Sequence, residues 1–114
     1  MNLNKTSFAL LIACLLSPPI CLGGKHHTTL TWDKSVSPDV VGFNIYRGDD
    51  RGKENPMPVA KLVASRCCDE GTSKCRWEDF DVAPHSKHCY LVKTVLKSGK
   101  VLDRASDETC AVTP

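Results

Sequence analysis

The chain has 114 residues, 7 of them cysteine, with 15 Lys and Arg set against 13 Asp and Glu. That length accommodates one domain, and a near balance of interspersed charges argues against nucleic acid as a partner, since phosphate binding needs a concentrated basic surface. So many cysteines in so short a chain point to disulfides and hence to an oxidising compartment.

Met1 to Lys5 is a short, singly basic start, followed by an apolar run from Ser7 to Leu16 and then Ser17-Pro18-Pro19. This is the layout of a secretory signal peptide, and it falls short of the about 20 apolar residues of a membrane span. Residues 1–24 are therefore read as a leader and 25–114 as one domain with no transmembrane segment. The preferred cleavage lies near Gly23, with Cys21 and Gly23 as the small recognition residues. The alternative takes Leu11-Ile12-Ala13-Cys14 as a lipobox, with Cys14 lipidated. Location is expected to be secreted or periplasmic under the first reading, and lipid-anchored in the envelope under the second. Cleavage leaves Cys67, Cys68, Cys75, Cys89 and Cys110, an odd number with one spare thiol, whereas lipidation at Cys14 keeps Cys21 and lets six pair.

Strands are predicted in sequence by alternation of apolar and polar residues. Thr28 to Asp33 carries Leu30 and Trp32 on one face. After the Ser-Val-Ser-Pro-Asp turn, Val41 to Arg47 carries Phe43 and Ile45. Met57 to Val63 follows a turn-rich stretch, and Lys74 to Phe80 carries Trp77. His88 to Leu96 and Lys100 to Val112 form a hairpin about Lys97-Ser98-Gly99, where glycine supplies the positive φ of a tight turn. No window keeps a 3.6 period, so no helix is expected. Trp32, Phe43, Ile45, Leu62, Tyr90 and Val92 are the expected core, centred on Trp32. Folding the hairpin about Ser98-Gly99 brings Cys89 and Cys110 within about two residues of facing each other, a slip that a bulge could absorb, so these are expected to pair. Cys75 closes a short loop back to Cys67 or Cys68.

The phrase from Thr28 to Gly48, with one Trp on the first strand and Tyr46-Arg47 ending the second, resembles the opening of a bacterial secreted fibronectin type III domain. Arg76 to Val82, His88 to Val95 and Val101 to Glu108 resemble its later strands in the right order. The resemblance implies an all-β, immunoglobulin-like sandwich of six to seven antiparallel strands, used as a binding or spacer module. Three departures stand out. His88 occupies the place of the usual tyrosine-corner residue, the cysteines are additions, and little sequence precedes Thr28 to make a first strand. An unpaired edge on Thr28 to Asp33 would invite an added strand from a partner or a copy of the chain.

Several constellations invite chemistry. Cys67, Cys68, Cys75, His85, His88 and Cys89 could ligate zinc, but a vicinal first pair strains a shared tetrahedron. His88 and Cys89 are strand neighbours pointing to opposite faces, so they make no nucleophile and base. Glu78, Asp79 and Asp81, with Asp69 and Glu70 nearby, read as a solvated acidic edge rather than a calcium site. Arg47-Gly48-Asp49 closes a strand and reads as a coincidental integrin-type tripeptide. An amino terminus exposing His26 or His27 at its third position could chelate copper or nickel. No phosphate loop, dinucleotide fingerprint or nucleophile elbow occurs. The expectation is a non-enzymatic, cofactor-free module outside the cytoplasm that binds a protein or a surface polysaccharide. The alternatives are an accessory lipoprotein and a small copper carrier, with a disulfide-linked or edge-strand dimer as one mode of association.

Overall fold

Pleating puts alternate side chains on one face, and eight positions scattered over four strands meet there. Leu30, Trp32, Val40, Phe43, Ile45, Cys75, Tyr90 and Val92 are all buried in one cluster, in a computed structural model that describes residues 10–14, 27–34 and 37–113. Trp32 meets Phe43 edge to face, ring centres 5.4 Å apart, the geometry that aromatic quadrupoles favour. Leu62 packs against this cluster but is only half-buried, because its strand lies at the edge of a sheet.

The protein is an all-β sandwich of antiparallel strands. One sheet runs β1 (Leu10–Cys14), β2 (Thr28–Asp33), β5 (Lys74–Asp79). The other runs β4 (Ala60–Val63), β3 (Val40–Gly48), β6 (Lys87–Leu96), β7 (Val101–Ala105), with β8 (Thr109–Val112) also paired to β6. In the full chain the edge of β2 is therefore covered rather than bare. Leu10–Cys14, part of the apolar run expected to be a leader, pairs along it from Leu10 opposite Trp32 to Cys14 opposite Thr28.

Other differences from expectation have local causes. A single helical turn, α1 (Ala64–Cys67), follows β4 directly, with Cys68 N–H donating to Ala64 O at 3.0 Å. Four residues are too few to show a helical period. Met57 to Val59 do not join β4, although Val59 N–H still donates to Ile45 O at 2.8 Å. The final strand is broken in two at Ser106, which is buried. Its hydroxyl accepts from Val92 N–H and its own N–H donates to Val92 O, both at 2.9 Å. This break, with a register shift between Lys93 and Val95, brings Cys89 opposite Cys110. Gly42 sits at another register shift, beside β4, where a Cβ would come 2.4 Å from the Leu62 carbonyl oxygen.

Among the described residues, two bridges brace the sandwich. Cys89–Cys110 ties β6 to β8, and Cys68–Cys75 ties the end of α1 to β5. Cys67 is a free thiol.

Candidate binding groove

Arg47 is next to last in β3 of one sheet and Asp79 ends β5 in the other, and they meet across the sandwich. Arg47 Nη1 donates to Asp79 Oδ2 at 2.7 Å, the Tyr90 hydroxyl donates to the same oxygen at 2.7 Å, and Asp81 N–H donates to Oδ1 at 3.0 Å. Asp79 is only 2% exposed, so it is not part of a solvated acidic edge. A buried carboxylate requires a cation and hydrogen-bond donors, and Arg47 and Tyr90 supply them. Burial and the bond to Asp79 push the Tyr90 phenol well above its ordinary value. Burial acts to lower the Arg47 pKa, but the hydrogen bond and charge of Asp79 outweigh it and raise it.

The same pairing removes Arg47 from the Arg-Gly-Asp tripeptide, whose Asp49 points to solvent with a side chain 97% exposed, 3.8 Å from His88 Nδ1. His88 also lies 3.1 Å from the Ser86 hydroxyl. It is half-buried, and the hydroxyl of Tyr90, two residues on, bonds the Asp79 side chain rather than the loop backbone. Strand parity carried the signal for this network. Asp79 shares a face with Trp77 and Cys75, so it had to point inward.

On that side of the molecule β4 and β5 are the outer strands of their sheets, and the seam between them forms a groove. Leu62, Val63, Cys67, Trp77 and Phe80 line it with Lys61, Arg66, Arg76 and Glu78, around a volume of about 620 Å³. Trp77 and Phe80 also line a second hollow of about 440 Å³ that reaches Val59, Arg47 and Asp81. The two aromatic residues thus stand between two adjoining depressions and line both. Phe80, just past the end of β5, is 54% exposed and Val63 on β4 53%, so apolar surface faces solvent on both sides of the groove. Glu78 is engaged by Arg76 at 3.0 Å and lies 3.6 Å from His27, whose ring stacks near Phe80 with centres 5.0 Å apart. Among the described residues no carboxylate pairs with Lys61 or Arg66.

Cys67 opens into the groove, its thiol 3.6 Å from Cys68 Sγ, and burial raises its pKa. The sulfurs of Cys67, Cys68 and Cys75 all lie within 4.8 Å of one another, but two of them are spent on each other. The wider candidate zinc set is divided: Cys89, near the start of β6, is bridged to Cys110, and His88 precedes it in sequence. His26 lies outside the described residues. Sequence alone did not reveal the groove, since neither the course of β4 into α1 nor the placing of Lys61 and Arg66 opposite Trp77 has a local signature.

No protein-family model and no curated protein matches the chain. Solved structures do. An Fn3-like protein from Clostridium thermocellum is 22% identical, with 96% of each chain covered and a TM-score of 0.60. A β-1,2-glucanase from Parabacteroides distasonis is 19% identical over 95% of this chain and 12% of its own, with a TM-score of 0.63. A pectate lyase from Pectobacterium carotovorum is 19% identical over 90% of this chain and 27% of its own, with a TM-score of 0.57. The fold is that of a fibronectin type III-like sandwich, and the chain spans about a quarter or less of the two enzymes it resembles.

Proposed function

We propose that this protein is a non-enzymatic binding module, working outside the cytoplasm, that holds an extended polymer along the groove between β4 and β5. The observation that carries the reading is the pair Trp77 and Phe80, partly exposed between two hollows and flanked by bases. Two adjoining hollows that share aromatic walls and carry charged side chains on their rims give a chain-like ligand successive points of contact. Two disulfides favour an oxidising environment, and no helix among the described residues is long and apolar enough to cross a membrane. Similarity to parts of a glucanase and a pectate lyase, proteins named for acting on polysaccharides, supports a polysaccharide ligand beside a protein one.

Retention of the purified protein on a panel of immobilised polysaccharides and envelope proteins tests this. Binding should be lost in Phe80→Ala, whose exposed side chain contributes little to the core, while the circular dichroism spectrum stays unchanged. Binding that survives both Phe80→Ala and Trp77→Ala would place the interaction elsewhere and refute the reading.

A further inference from the structure

We infer that the groove selects an acidic polysaccharide, one bearing uronate carboxylates; this rests on the binding-module reading and narrows its ligand. Three features lead there. First, the charge in the groove is lopsided. Lys61, Arg66 and Arg76 face a single acid, Glu78, and that acid is already engaged by Arg76 with His27 close by. Lys61 and Arg66 are exposed and keep their charge for a partner. A guanidinium accepts a carboxylate through two parallel N–H donors, a geometry that a neutral sugar cannot use.

Second, the aromatic residues sit beside those bases. The electron-rich face of a ring attracts partly positive hydrogens, and the C–H groups on one face of a pyranose ring supply them. Trp77 and Phe80 therefore offer contact to the sugar body while Lys61 and Arg66 take its carboxylates.

Third, the edges are poorly suited to an added peptide strand. The outer edge of β5 is capped at its start, where Cys68 bridges to Cys75 and Asp69 N–H donates to Lys74 O at 2.8 Å. That leaves the short stretch around Trp77. β4 has four residues and runs straight into α1, less than the usual strand of about five or six. Neither edge provides the row of backbone groups that strand addition requires, whereas a glycan needs only side chains.

The test is calorimetric titration with polygalacturonate, the same polymer after carboxyl reduction, polyglutamate, and a set of extended peptides. Polygalacturonate should bind, with affinity falling at least about tenfold on carboxyl reduction, and falling steeply between low and physiological salt as exposed charges are screened. Arg66→Gln combined with Lys61→Gln should cost a similar factor, while unfolding like the parent because both side chains are exposed. Equal binding of the carboxyl-reduced polymer would overturn the selectivity yet leave a polysaccharide-binding module standing. Binding of a peptide alone would also overturn it and leave a protein-binding module. Equal binding of polyglutamate would show mere charge attraction and overturn it, as would polygalacturonate binding indifferent to the double substitution. Failure of every probe would overturn both this inference and the broader reading.

Discussion

Asp79→Ala probes the link between the two sheets. The substitution removes the acceptor of three donors, and each leaves a different debt. The Tyr90 hydroxyl is stranded in a fully buried position, which costs about 1–3 kcal/mol. Arg47 is less severely affected. Its side chain is 19% exposed and its Nη2 still lies 3.4 Å from Asp81 Oδ2, so the loss is nearer the about 1 kcal/mol of an accessible ion pair than the about 3–5 kcal/mol of a sealed one. The Asp81 N–H adjoins an exposed residue and can turn to water. Together these come to about 3 kcal/mol, a large share of the about 5–15 kcal/mol that a small domain possesses. In urea, with a slope of about 1–1.5 kcal/mol/M, the unfolding midpoint should drop by about 2–3 M. Tryptophan fluorescence under non-reducing conditions reads it. Asp79→Asn, which still offers Tyr90 an oxygen, should lose distinctly less. A midpoint for Asp79→Ala within about 0.5 M of the parent, on the same slope, would refute the view that this carboxylate joins the sheets.

Tyr90 makes alkaline stability informative. Its folded pKa is raised by burial and Asp79, so its contribution is complete below the ordinary phenol value of about 10 and fades as pH climbs from there towards the folded value; in Tyr90→Phe the alkaline loss of stability, followed by urea midpoints, should be shallower. Trp32→Ala should cost about 3–5 kcal/mol, and a melting temperature within a few degrees of the parent would contradict its central place in the core. Replacing Cys89 and Cys110 together by Ala should destabilise by about 3 kcal/mol and replacing Cys68 and Cys75 by about 2.5, because the first bridge closes the longer loop; the order is checked by denaturant unfolding of the two variants. Because burial raises the Cys67 thiol pKa, its alkylation near neutral pH should be slower than that of a free cysteine and should accelerate on unfolding in denaturant, as mass spectrometry of the labelled peptide would show.

Alternation made most of the sandwich readable. Thr28–Asp33 has the bounds its Leu and Trp spacing predicted, because a strand with one face on a core obeys a period of two. Three features resisted that logic. α1 is a single turn whose shape follows from its neighbours rather than from any repeat. β1 lies in an unbroken apolar run, where nothing distinguishes a strand from a leader. The last strand divides at Ser106 because a hydroxyl stands in for a backbone group, an exchange that no hydropathy pattern records. At the candidate site, the reading of Asp79 as part of a solvated acidic edge passed over its parity with Cys75 and Trp77, which marks it as inward-facing, and the groove had no such mark. It arises where edges of two different sheets come together, and the residues that define it, Lys61 and Arg66 against Trp77, are distant in sequence.

If Leu10–Cys14 belongs to a leader, as the sequence leads one to expect, its covering of β2 sets two uses of one segment in competition. A translocation apparatus must capture its leader as a loose, accessible thread, while the sandwich draws the same thread into register against Thr28–Asp33. Folding ahead of capture would hide the address label inside the parcel, so export would favour a precursor kept open until it is engaged. Cleavage near Gly23 would then empty the berth alongside β2 at the moment the protein reaches its destination. The vacated row of N–H and C=O groups would accept a replacement strand from a neighbour. If the segment is indeed a leader that is removed, maturation and assembly would share one trigger, because Leu10–Cys14 fills this edge as long as it is present.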